Sequence, residues 1–247
     1  MNPVKVAVVL PAYEAAATVS DVLNALPREF FQYIILVDDH SRDQTFEIAS
    51  KDKSVLAYRN EKNLGYGGNI KKCLCIALEL GADIIVEIHP DGEYGVGSIG
   101  RAIEEVKHGA GLVLGNRFAL DGGPLKNGMF FWKYPVIKVL NWACNRALGT
   151  RLGDLHQGFR VYSSALLRNI DFIHNSNEYL FSFQIIVQAV FHQFPVREVP
   201  QSCRYKGKKR GARLGAAALY SISVFGVIIR FWLAKLRLRL HGWQGNI

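Results

Sequence analysis

The stretch EIHPDGEYG (87–95) places His89, Asp91 and Glu93 at every second position, directly after the apolar run ADIIVEI. Carboxylates delivered together at the end of a buried strand are donors for a hard divalent cation. Mg²⁺ or Mn²⁺ prefers carboxylate oxygen and keeps waters and substrate phosphates as further ligands. Asp91 fits best as a direct ligand. His89 suits Mn²⁺ better than Mg²⁺, and equally suits a hydrogen-bonded histidine at a strand end. Glu93 either completes the site or is solvated. The plain alternative for the whole stretch is a polar turn closed by Pro90 and Gly92.

Other polar loops follow other apolar runs. VKVAVVL (4–10), YIILVD (33–38) and DIIVEI (83–88) read as strands buried on both faces, and VLAYR (55–59) as a weaker one. Helical spacing lies between them: near residues 17–26, from a capping-box pattern at Ser41 with Asp43 in its first turn, and from about Gly68 to Leu80, stopped at Gly81. Strand and helix in alternation predict an α/β fold with a mostly parallel, Rossmann-like sheet flanked by helices. Such sheets bind ligands beyond the carboxyl ends of their strands. There PAYE (11–14), DDHSRDQT (38–45), NEKNLGYGGN (60–69) and HPDGEY (89–94) converge. Asp38 and Asp39 suit either a nucleobase or ribose, or the capping of the following helix. Gly65, Gly67 and Gly68 permit a close turn whose amides could face a phosphate, although the spacing fits neither a P-loop nor G-x-G-x-x-G. Arg117, after GLVLGNRF, could neutralise a diphosphate or be an ordinary surface arginine. Farther on, residues 129–148 predict a helix kinked or begun at Pro135, HQGFRVYS a short strand entering a helix, residues 178–193 a long apolar helix, and FPVREVP an edge strand.

A chain of 247 residues buries a core without cross-links, and its four cysteines lack C-x-x-C spacing, so free thiols are expected. The net charge of +9 calls for an anionic partner, and the position of the basic residues decides which. YKGKKRGAR (205–213) adjoins a long apolar segment that ends in Arg230, Lys235, Arg237 and Arg239 beside Phe231, Trp232 and Trp243. Its uncharged part, Leu214–Ile229, is shorter than the ~20 residues of a simple span, so an interfacial helix on an anionic membrane surface is favoured over a single tilted span or a helix packed on the protein. Nucleic acid is disfavoured, because the basic residues join an apolar helix and no nucleic-acid module is present. The N-terminus carries no signal-peptide pattern, which predicts work at the cytoplasmic face. The composition also leaves room for a homo-oligomer.

VVLPAYEAAATV, ILVDDHSRDQT, NLGYGGN, HPDGEY, GNRF and HQGFRVYS, in this order over residues 4–165, resemble the family 2 inverting glycosyltransferases with a GT-A fold, and within them the dolichyl- or polyprenyl-phosphate sugar synthases. The resemblance implies a GT-A domain over residues 1–205, followed by a basic cluster and membrane-associating helical tail over 206–247. It implies a UDP- or GDP-linked sugar donor, a divalent cation (Mg²⁺ or Mn²⁺) and a lipid-phosphate acceptor. Pro11, Tyr13 and Glu14 would flank the donor base, Asp39 and Asp38 bind the nucleoside, and Arg117 the phosphates. Asp154 precedes the G-F-R signature, of which Arg160 is the arginine, and would orient the acceptor or act as base toward a hydroxyl. Lys133 stands where related synthases carry an arginine for the lipid phosphate, and Lys206, Lys208, Lys209 and Arg210 would assist.

This chain departs from the pattern at Glu14, where asparagine is usual, at Ala15, and at His89, which replaces the first acid of the family's D-x-D. Two other functions stay open from the sequence: transfer to a hydroxyl of a saccharide or glycolipid, and non-catalytic binding of a nucleotide-sugar or lipid.

Overall fold

In the computed structural model, which describes residues 3–120, 123–205 and 214–241, the elements run β1 (Val6–Ala12), α1 (Val19–Ala25), β2 (Tyr33–Asp38), α2 (Thr45–Ala49), β3 (Val55–Arg59), α3 (Tyr66–Glu79), β4 (Ile84–Glu87), α4 (Ile99–Lys107), β5 (Leu112–Asn116), α5 (Gly123–Lys126), α6 (Lys133–Leu148), β6 (Arg160–Ser163), α7 (Ser164–Asn169), α8 (Leu180–Phe191), β7 (Val196–Pro200) and α9 (Leu214–His241). The seven strands form one sheet in the order β3-β2-β1-β4-β6-β5-β7. Only β6 is antiparallel to its neighbours β4 and β5; every other pairing is parallel.

Alternation along β1 divides the interior. Ala7 and Val9 join the core under α3, α6, α8 and α9, while Val6, Val8 and Leu10 join the core under α1 and α4. Both faces are therefore covered, which is why these strands are apolar throughout. The strand order reverses at β1, whose neighbours are β2 and β4. The crevice beyond the carboxyl ends of β1 and β4 is thus the ligand position expected of a doubly wound sheet.

Two predicted boundaries shift. β1 continues through Pro11 to Ala12. Val9 bonds toward the β4 side through Ile88 N, so Pro11, two residues on, turns its missing N–H past the end of β4, where no ladder bond is lost. The helix expected from Ser41 begins only at Thr45. Asp43 takes the Thr45 amide at 3.1 Å, and the Ser41 hydroxyl turns back to Asp38, so the capping-box residues serve the loop instead. Pro135 lies in the first turn of α6, where its lack of N–H costs nothing.

The C-terminal helix α9 packs along α8 and α6, burying Val224, Val227, Ile228, Phe231 and Ala234. Its other side leaves Leu219, Ile222, Phe225, Ile229, Trp232, Leu233 and Leu236 exposed. The packed face accords with a helix lying on the protein, and the open face with the expected interfacial one. Lys206, Lys208, Lys209, Arg210, Arg213 and Trp243 lie outside the described residues.

Candidate active site

The β4 strand ends in Glu87, a carboxylate with no exposure inside an otherwise apolar run. A buried charge needs partners. Tyr162 donates its hydroxyl to Oε2 at 2.5 Å, and His89 Nε2 lies 3.2 Å from Oε1. Arg160 is the cross-strand partner of Glu87 and is itself 1% exposed. The His89 ring stacks on Tyr66 with centroids 5.3 Å apart, and its Nε2 is 3.3 Å from the Tyr66 hydroxyl. Burial opposes protonation of His89, but the hydrogen bond and charge of Glu87, with Asp91 behind them, raise its pKa above the ordinary imidazole value. His89 Nε2 thus faces Glu87 and Tyr66. His89 anchors the strand end.

Two residues on, Asp91 is exposed and accepts the Glu93 amide at 2.9 Å. The Glu93 carboxyl titrates above its usual range through burial and then the charge of Asp91. Two carboxylates on one loop form a natural pair for a divalent cation. Among the described residues no group of three or more His, Cys, Asp and Glu is gathered for a metal. Asp91 and Glu93 are the carboxylates of this loop that could hold a hard cation, which would complete its shell with water and phosphate oxygens. Thr18, at the start of α1, donates to Pro90 O at 2.6 Å and ties this loop to the helix. A cavity of about 260 Å³ opens between them, bordered by Thr18, Asp21, Asp91 and Tyr94.

Pro11 and Ala12 are the last covered residues of β1, Tyr13 stands half-exposed beyond them, and Glu14 adopts a left-handed φ of 49° with its amide donating to Ser41 Oγ at 2.9 Å. Positive φ at a non-glycine residue marks a backbone held by its surroundings. Asp38 is fully buried, takes the Ser41 amide and hydroxyl, and lies 3.4 Å from Arg59 Nε. Asp39 accepts from Leu64 N at 2.8 Å, Gly65 N at 3.1 Å and Asn60 Nδ2 at 2.7 Å. Both carboxylates brace the loops around the crevice, and neither caps α2, whose N-cap is Gln44. The Gly67 and Gly68 amides, expected to face a phosphate, turn instead to Asn177 O at 2.7 and 3.2 Å. A Cβ at Gly67 would come 2.5 Å from Ser176 O and 2.6 Å from the Phe181 Cβ. This glycine admits close approach of α3 to the start of α8.

Arg117 and Asp154, expected to meet phosphate and acceptor, meet each other. Arg117 is 6% exposed and holds fully buried Asp154 with Nε at 2.7 Å and Nη2 at 3.0 Å. Its Nη1 donates to the Tyr205 hydroxyl at 2.7 Å, and Nη2 also to His156 O at 3.0 Å. Burial depresses the guanidinium's basicity, yet the charge and hydrogen bonds of Asp154, with Tyr94 and Tyr205, together outweigh it and keep the group firmly protonated. Glu198 receives the Gly153 and Asp154 amides at 2.7 and 2.9 Å, fixing the turn. Lys133 lies over the Trp132 and Phe130 rings at 5.3 and 5.5 Å. Burial lowers its pKa while the charge of Glu93 pulls the other way, which places the ammonium in the electrostatic reach of the acid pair.

Sequence reasoning missed Glu87, Tyr66, Glu198, Tyr205 and His156. Glu87 had a signal, since a lone acid in ADIIVEI cannot be buried unpaired. The others are recruited across the fold and carry no local pattern.

The glycosyl transferase family 2 profile matches residues 7–171, and the chain belongs to that family. Among its relatives are the UDP-N-acetylglucosamine–dolichyl-phosphate N-acetylglucosaminyltransferase of Methanococcus voltae, 25% identical over 78% of this chain and 82% of that protein, and the polyprenol monophosphomannose synthase of Mycolicibacterium smegmatis, 28% identical over 78% and 75%. The fold matches the glucosyl-3-phosphoglycerate synthase of Mycobacterium tuberculosis, solved with UDP, at a TM-score of 0.69 and 19% identity, covering 92% of this chain and 79% of that one. The protein is a glycosyltransferase with a GT-A fold.

Proposed function

We propose that this enzyme transfers a sugar from a UDP- or GDP-linked donor to a polyprenyl or dolichyl phosphate at the cytoplasmic membrane surface, with inversion at the anomeric carbon. The observation that carries the acceptor class is Asp154. A hydroxyl acceptor needs a base, and the candidate base has both oxygens bound by Arg117 and no exposure. A phosphate acceptor is already anionic near neutral pH and needs only positioning. The names of the Methanococcus and Mycolicibacterium relatives support the same acceptor.

Tyr13 and the Glu14 backbone present the donor base with a half-exposed ring at the end of β1. Asp39 and Asp38 keep the loops behind it in place. Asp91 and Glu93 would hold the divalent cation that the Mn²⁺-bound structure of the glucosyl-3-phosphoglycerate synthase makes the natural expectation. Such a cation, when bound, neutralises charge on the nucleoside diphosphate. Lys133 stands at the same mouth and orients the acceptor phosphate. An acceptor phosphate oxygen forms the new bond to the anomeric carbon as the bond to the diphosphate breaks, and the electron pair leaves with the diphosphate. No proton has to move.

In this reading residues 1–205 are the catalytic domain and 206–247 seat it on the bilayer. Two helices offer apolar surface: α6 with Val136, Val139 and Trp142, preceded by Phe131 at 81% exposure, and α9 with Leu219, Ile222, Phe225 and Trp232. Leu219–Arg237 is long and apolar enough to span a membrane by length and composition, but one face of α9 is packed on the domain, which favours a helix lying in the interface. The acceptor class is tested with polyprenyl phosphate against the matching polyprenol. Product is expected only from the phosphate; equal transfer to the alcohol would instead favour the hydroxyl reading.

A further inference from the structure

The segment Asp154–Arg160 is held from two sides. On one side the Gly158 amide donates to the Tyr94 hydroxyl at 3.0 Å. Gly158 lies so close to the site loop that a Cβ there would come 3.0 Å from both His89 Cδ2 and Tyr94 Cε2. On the other side, the His156 ring is enclosed by three helices. It stacks on Phe183 of α8 at 5.5 Å, its Nε2 is 3.8 Å from Cys144 Sγ of α6, and its Nδ1 is 2.9 Å from the Tyr220 hydroxyl of α9. The Tyr220 ring also meets the imidazole edge to face at 5.6 Å. Between these two contacts the His156 carbonyl accepts from Arg117, which binds Asp154. A continuous path of packed and hydrogen-bonded groups thus runs from α9 through His156 and Gly158 to the loop that carries Asp91.

We infer that Tyr220 is a positioning residue for sugar transfer: its hydroxyl fixes His156 and thereby the register of residues 154–160 against the Asp91 loop, so that the C-terminal helix is a working part of the active site. The inference rests on the proposed transferase reading. His156 makes a single side-chain hydrogen bond to oxygen, the one to Tyr220, so its loss leaves the ring held by stacking on Phe183 and the weak contact with Cys144 Sγ, and able to tilt. Tilting moves the His156 carbonyl away from Arg117 and carries Gly158 with it. Positional error of this kind lowers turnover more than it weakens ground-state binding.

The test uses the full-length protein with polyprenyl phosphate and the donor on which the unaltered enzyme is active. Tyr220→Phe retains the ring and its packing. It is expected to lower kcat about tenfold or more while donor KM stays within about twofold and the thermal midpoint nearly unchanged. In a His156→Gln background, the same Tyr220→Phe change is expected to have no further effect on kcat, because the path through His156 is already broken. Unchanged kcat in Tyr220→Phe, or a full additional loss in the His156→Gln background, would overturn the inference. A kcat loss matched by a fall in thermal midpoint would assign Tyr220 a merely structural role and overturn it as well. Absence of transfer by the unaltered enzyme with every donor would sink the transferase reading itself, an outcome distinct from an active enzyme indifferent to Tyr220→Phe.

Discussion

Asp91 and Asp154 are both aspartates near the crevice, and their surroundings give them opposite parts. Asp91 is exposed and makes one backbone contact, so its removal should leave the fold intact. Asp91→Ala is expected to reduce transfer by roughly 10²–10³-fold or more, a loss of the size seen when a charge-stabilising group is removed, with an unchanged circular dichroism spectrum. Asp154→Ala instead strands a buried guanidinium and should cost about 3–5 kcal/mol of stability, read as a lower urea midpoint. His156 supplies a pH dependence. Burial pushes its imidazole down to about 4, against 6.5 when unfolded. The unfolded chain therefore takes up the proton first as pH falls, and stability present above pH 6.5 is lost progressively down to about pH 4, by at most about 3 kcal/mol. Urea midpoints measured between pH 7 and 4.5 should show this decline, and His156→Gln should flatten part of it. At Asp91 and Glu93 the sequence shows residue types that a cation site would need, because three polar residues alternate after a strand. Arg117 and Asp154 were legible as important, but not as a pair, since 37 residues separate them and only the fold brings them within 2.7 Å.

The helices show why local patterns located the elements and misjudged some ends. Apolar runs bounded by turn residues gave β1 to β4 their order and type, because strands buried on both faces must be apolar. β1 runs two residues past the apolar run because the missing donor of Pro11 matters only where a neighbouring strand would use it, and β4 has already ended there. Ser41 was misread as a helix start because its hydroxyl serves a buried aspartate formed by the preceding strand. The glycines of NLGYGGN permit a close turn whose amides could face a phosphate, yet two of those amides close onto Asn177 from a segment over a hundred residues away. Gly67→Ala should then force α3 from α8 and lower stability by about 1–3 kcal/mol, visible as a reduced thermal midpoint. On α6, Trp142 is 69% exposed and contributes to the open apolar face. Trp142→Ser is expected to reduce sedimentation with anionic liposomes at least several-fold while leaving the thermal midpoint unchanged; undiminished binding would remove α6 from the membrane-facing surface.

At the scale of the whole molecule, the charge of +9 and the apolar faces of α6 and α9 act together. The protein is expected to bind vesicles containing anionic lipid and to bind them less as salt is raised, because the basic contribution is screened while apolar insertion is not. The antiparallel β6 and the edge strand β7 complete a sheet whose two halves differ: β1 to β4 present the loops proposed to hold the donor, and β5 to β7 flank the buried Arg117, Asp154 and Glu198 framework. The central claim is metal-assisted transfer of a sugar to a lipid phosphate through the Asp91 loop. Its most direct test incubates the protein with a panel of UDP- and GDP-sugars, polyprenyl phosphate and Mg²⁺ or Mn²⁺, and reads the mass of the extracted lipid. One donor should add one hexose-type residue to the lipid phosphate, and chelation of the metal or Asp91→Ala should abolish the product. A lipid of unchanged mass with every donor and both metals, or full product from Asp91→Ala, would contradict the account.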